Sequence, residues 1–199
     1  MSYNWTNVTG AVAGVADGYL NSVDMKVGAY TLDAAAPTFG ARHVTCTRTV
    51  VDVADTPGTI VLVGVGVDGR ATTETLTPGA HTILVTGTKF FRSLTSATGV
   101  GWVIGGTDED TIVIGWDNVN VVAVGQGVLH GIHINVLGAS AIYVADARGK
   151  IANIPASQAA GSLFLWDINF TGYLRVEPAA AASDITVLHT GSMPASYAL

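Results

Sequence analysis

The chain has 199 residues, of which 12% are charged and 49% hydrophobic, with 24 glycines and a formal net charge of −6. That length fits one large β domain or two small ones with real cores, and low charge with high apolar content excludes a disordered chain. Residues 1–118 carry 11 acidic against 6 basic side chains and residues 119–199 carry 4 against 3, so neither part offers the positive patch that nucleic-acid binding needs.

Residues 1–40 are rich in Ala and Gly, with Asp17-Gly18 and Ala34-Ala35-Ala36-Pro37 as breaks. They read as a loosely structured N-terminal arm in which Met25 to Leu32 forms a first strand. The start, Met1 to Thr6, lacks a basic segment followed by an apolar core, so no secretory signal is expected. From Arg42 the strand signals are dense: His43–Val51, Thr59–Val67, Ala71–Leu76, Thr82–Thr86, Phe90–Ser96 and Thr111–Trp116. Asp68-Gly69 between two β-rich runs predicts a tight hairpin, because both residues tolerate positive φ. Pro57-Gly58 and Pro78-Gly79 are further turn dipeptides.

A second set of strands is predicted at Val119–Val124, Val128–Leu137, Ala141–Asp146, Lys150–Ile154, Leu163–Phe170, Tyr173–Glu177 and Ile185–His189. Alternation places Ile132, Ile134 and Val136 toward a core. Helix content should be low, since β-branched residues dominate and no capped amphipathic run is present. The fold expected is all-β: two antiparallel β-sandwich or jelly-roll-like modules, 41–118 and 119–199, behind the 1–40 arm. No apolar run approaches the roughly 20 residues of a spanning helix, so no membrane is expected as a partner.

Reactive constellations are sparse. His130 and His133 are three apart, which on a regular strand puts them on opposite faces, and His43 and Cys46 fail as a metal pair by the same parity. Cys46, the single cysteine, reads as a small buried hydrophobe. Asp108, Glu109 and Asp110 form the one acidic run; it fits no calcium loop, and a solvated hairpin tip is its simpler reading. Glu74, Asp108, Asp167 and Glu177 are scattered rather than paired as a glycosidase requires. No nucleophile elbow or phosphate loop is present, and Gly191-Ser192-Met193 does not make one. No catalytic, cofactor-binding or metal-binding residue is therefore assigned, no cofactor is expected, and the chain reads as a non-enzyme. Trp5, Trp102, Trp116 and Trp166 fit equally a sugar-stacking surface, a core or subunit contacts.

The strand phrases resemble virion structural proteins of tailed bacteriophages. The resemblance rests on Arg42-His43-Val44-Thr45-Cys46-Thr47, on Val65 to Arg70 with its Thr73-Glu74-Thr75-Leu76 return, and on Val85 to Phe91 through Leu94-Thr95-Ser96. In the second half it rests on Gly131 to Val136, Leu165 to Phe170 and Asp184 to His189. It covers residues 42–190 and implies a non-enzymatic capsid or tail component made in the host cytoplasm and located in the virion. The leading expectation is a capsid decoration (cement) protein, a homotrimer bound to the major capsid protein. The alternatives are a tail, fibre or head-to-tail connector component, or a carbohydrate-binding module for host attachment.

Overall fold

The computed structural model describes residues 3–8, 15–35, 40–136, 140–178 and 184–192. These residues form strands and connections only, in two antiparallel sheets. As expected, the protein is all-β and built as two β-sandwich-like modules. The chain divides into a unit of Gly14–Asp117, here the N-unit, and a unit of Asn118–Leu199 together with Met1–Ala13, the C-unit. The boundary falls one residue from its expected place. Among the described residues of the expected N-terminal arm, β1 (Asn4–Val8) belongs to the C-unit sheet, whereas β2 (Val15–Asp24) belongs to the N-unit sheet.

In the N-unit, β3 (Gly28–Ala29), β4 (Arg42–Thr49), β5 (Thr59–Gly66), β6 (Ala71–Leu76), β7 (Leu84–Val100) and β8 (Thr111–Trp116) follow β2. The sheet order is β2-β8-β4-β7-β5-β6, with β3 beside β7. The first strand expected at Met25–Leu32 shrinks to the two residues of β3, which lie opposite Gly99 and Thr98. Asp17-Gly18 is no break. It lies inside β2, and a Cβ at Gly18 would come within 2.3 Å of the Trp116 ring, so glycine is demanded by packing rather than by a turn. Tyr19 then meets the same indole edge-on, with centroids 4.9 Å apart. Ile60, Leu62, Phe91, Leu94, Ile112 and Ile114 fill the rest of a core that also holds Cys46. Burial pushes the Cys46 thiol up to about 12, which keeps it un-ionised and inert.

The predicted runs Thr82–Thr86 and Phe90–Ser96 are one 17-residue strand, β7. Its first half pairs with β4 and its second half with β5. Gly87, between the two predicted runs, is a close-approach position, where a Cβ would lie 2.5 Å from the Glu74 carboxylate. That carboxylate accepts hydrogen bonds from the Thr88 and Lys89 N–H groups and the Thr88 hydroxyl. The predicted Asp-Gly hairpin joins β5 to β6, with Val65 opposite Ala71 and Gly69 at φ +79°.

The C-unit repeats this device. β9 (Asn120–Val136) is again 17 residues long and merges two predicted runs. It is followed by β10 (Ile142–Asp146), β11 (Gly149–Ile154), β12 (Leu163–Phe170), β13 (Tyr173–Pro178) and β14 (Asp184–Ser192). One edge of β9 pairs with β14; the other pairs first with β13 and then with β12. β1 completes the sheet on the far edge of β14. Across β1, β14 and β9 the inward rows are Thr6–Val187–Ile132 and Val8–Ile185–Ile134, all buried. Val136, expected on that core face, is 53% exposed. It is the last residue of β9, opposite the first residue of β14 and past a register shift at Asp184/Ile185.

Candidate functional site

Each unit carries one surface with chemistry. In the N-unit it is built by two connections, residues 50–58 between β4 and β5 and residues 101–110 between β7 and β8. Thr56 and Val103 exchange backbone hydrogen bonds of 2.9 and 3.1 Å. Two buried carboxylates clamp the connections from beneath. Asp55 accepts from the N–H groups of Gly105 (2.7 Å) and Asp110 (2.8 Å). Asp110 accepts from Val51 N–H (2.7 Å), Asp52 N–H (3.1 Å) and Arg48 Nε (2.6 Å), with Arg48 Nη2 against the same oxygen. Burial alone would raise the Asp110 carboxyl, but these donors and the Arg48 charge outweigh it and hold the group below its ordinary value. Above this clamp, Val51, Val53, Val103 and Ile104 are exposed, Val53 to 94%. Ile83 and Leu84, the latter the first residue of β7, are also exposed, just after a turn held by Thr82 N–H to the Arg48 carbonyl. Asp108 and Glu109 retain contact with solvent.

The acidic run is therefore not a solvated tip throughout. Asp110 faces inward and both its oxygens are engaged, and among the described residues no group of three or more His, Cys, Asp or Glu side chains is placed to hold a metal.

In the C-unit the surface is the outer face of β1, β14, β9 and β12. Register aligns Trp5, Leu188, Gly131 and Leu165 in one row across these four strands. At this row β9 bulges: Gly131 lies opposite Leu188, whereas Leu129 lies opposite His189, leaving His130 as the extra residue. A bulge re-aims its side chain. His130 Nδ1 meets Asp167 Oδ1 at 2.7 Å, and its ring meets Tyr3 edge-on at 5.1 Å. Tyr3, His130, Leu165, Trp166, Asp167 and Leu188 line an open groove of about 530 Å³.

The parity expectation for the histidines fails for this reason. His133, opposite Thr186 and Leu163, shares the outer face with Gly131, and the bulge turns His130 toward that face as well. They remain separate, because His133 is held by Asn135 Oδ1 at 2.7 Å while His130 is held by Asp167. His43 pairs with Asp117 at 2.6 Å and stacks on Phe90, whereas Cys46 points into the core. Glu177 pairs with Arg175 at 2.7 Å, and Ser192 closes β14, with Met193 outside the described residues.

The four tryptophans separate into two kinds. Trp102 and Trp116 are each 5% exposed and belong to the N-unit core. Trp5 is 60% exposed, and Trp166 stacks on Phe164 beside the groove. One residue that sequence reasoning passed over is His189. It is fully buried on the inward face of β14, with Nε2 2.9 Å from Thr6 Oγ1. Burial, then the neighbouring His130, lowers its pKa to about 4. Only the strand alternation around Val187 and His189 hinted at an inward histidine.

No protein-family model matches the chain, and no curated protein matches it.

Proposed function

We propose that this chain is a non-enzymatic structural protein of a tailed-phage particle, a decoration protein that binds the outside of the head lattice through the clamped end of the N-unit. The observation that carries the reading is the pairing of buried carboxylates with exposed aliphatic tips. Asp55 and Asp110 fix two irregular connections, so Val51, Val53, Val103 and Ile104 are held ready for contact and little conformational entropy is lost on docking. Exposed apolar patches of this kind mark interaction surfaces. The resemblance of residues 42–190 to virion proteins supplies the partner, the major capsid protein, and the homotrimer supplies the valency. Several weak contacts held in one oligomer bind a repeating lattice tightly. Binding the expanded shell alone then adds free energy to that state and stabilises it by mass action.

The test is copy number and position in purified particles, by quantitative mass spectrometry with cryo-electron microscopy. Hundreds of copies over the shell, lost on Val53→Asp, support decoration. A dozen or fewer at one vertex move the protein to the neck or tail, and absence from particles overturns the reading.

A further inference from the structure

We infer that the groove on the outer face of the C-unit is a binding site for a neutral saccharide. The inference is independent of the docking end of the N-unit and uses different residues. The apolar half of the site comes from register. Tyr3, just before β1, stands two residues from Trp5 and, like it, flanks the outer face, and Trp5 heads the row that runs through Leu188 and Gly131 to Leu165. Four adjacent strands span roughly 14 Å at ordinary strand spacing, room for a short oligosaccharide lying across the strands. Tyr3 and Trp5 are both largely exposed, which leaves aromatic surface for the C–H faces of pyranose rings.

The polar half comes from the bulge. His130 grips one oxygen of Asp167 through Nδ1 at 2.7 Å, and the Asp167 side chain stays 83% exposed. The carboxylate is thus oriented yet keeps acceptor sites open, and a carboxylate receiving O–H donors makes short, charge-assisted hydrogen bonds. An aliphatic helix or a second sheet laid on the same rings would strip water from Asp167 and offer it no hydroxyl donor. A sugar offers both an apolar face and hydroxyls at its rim. The exposed negative charge selects against uronic or sialic acids, which is why the ligand is neutral.

The test applies the full-length protein to an array of neutral α- and β-glucans, mannans and galactans printed beside sialylated and uronic oligosaccharides. The strongest neutral hit is then titrated by calorimetry. Retention of a neutral oligosaccharide is expected, weakened tenfold or more by Tyr3→Ala, Trp5→Ala and Asp167→Asn and unchanged by Val53→Asp. Asp167→Asn keeps the side-chain shape at an exposed position, so it remains informative if an aromatic variant folds poorly. No glycan retained, a preference for acidic glycans, or binding that survives all three substitutions overturns the inference. A change of oligomeric state in Trp5→Ala without any glycan binding overturns it too, and assigns the face to contact between copies. Loss of glycan binding in Val53→Asp would also count against it.

Discussion

The candidate surfaces of the two units use buried and exposed polarity in opposite ways. At the end of the N-unit the carboxylates Asp55 and Asp110 lie beneath the surface and the exposed side chains above them are aliphatic. On the face of the C-unit the carboxylate Asp167 lies at the surface among aromatic rings, and a deeply buried titratable ring, His189, sits on the opposite face of the same sheet. A buried carboxylate with two or more donors stiffens irregular backbone, whereas an exposed carboxylate held by one partner stays available to a ligand. The first arrangement suits an unselective apolar contact, the second a ligand with hydroxyl groups.

The comparison is broken most sharply at the tryptophans. Trp116→Ala should destabilise the N-unit by about 3–5 kcal/mol, because its ring packs on Gly18 and Tyr19. Trp5→Ala should stay within roughly 0.5 kcal/mol. Urea denaturation of both variants measures the difference, and equal losses would mean that the exposed row is in fact covered.

Next come the carboxylates. Asp110→Ala leaves the Arg48 guanidinium buried without its partner, and breaking a buried pair in this way costs about 3–5 kcal/mol. Asp146 of the C-unit is equally buried, but its partner Arg148 is largely exposed and also reaches the Asn169 carbonyl. Asp146→Ala should therefore cost less, about 1–3 kcal/mol, mainly for the unpaired N–H groups of Arg148 and Thr171. Both carboxyls are held below their ordinary values in the fold: burial pushes each up, and hydrogen bonds with the arginine charge outweigh it. Their contribution is complete above the unfolded carboxylate range near pH 4 and is lost as pH falls through the lower folded values.

His189 titrates in a different window. With a folded pKa of about 4 against an ordinary 6.5, the unfolded chain binds the proton more readily between these values. Stability is therefore full above about pH 6.5 and declines as the pH falls toward 4, by roughly 3 kcal/mol in all. His189→Gln, followed by melting temperature against pH, should flatten that slope. An unchanged slope would place the proton-linked loss in other groups.

Among the carboxylates the smallest loss is at Glu74. Its half-buried carboxylate serves the N–H groups of Thr88 and Lys89, which are themselves exposed, so water can replace it there. Glu74→Ala should cost about 1 kcal/mol, and slowed amide exchange at Thr88 and Lys89 in the parent protein should be lost.

Most strands were legible because alternation and turn chemistry are local. Ala71–Leu76, Thr111–Trp116 and Leu163–Phe170 stand where they were expected, and the Asp68-Gly69 hairpin forms. Each 17-residue strand joins two predicted runs, and the gaps between the runs hold Gly87 in β7 and Gly125 and Gly127 in β9. Gly87 and Gly127 answer the close approach of another group, the Glu74 carboxylate and the Thr190 carbonyl, and Gly125 a φ of +87°. The candidate sites were less legible. The row from Trp5 to Leu165 joins residues 160 positions apart in the chain, and nothing local in either segment announces the other.

Composition, alternation and turn residues were enough to dictate an all-β chain with a division near Asp117, since each acts over a few residues. The discontinuity of the C-unit, the turning of His130 by its bulge, and the sorting of four tryptophans into two buried, one half-buried and one exposed belong to tertiary structure. Each depends on which strand lies next to which, and at what register, and those pairings link residues too far apart for any local preference to specify.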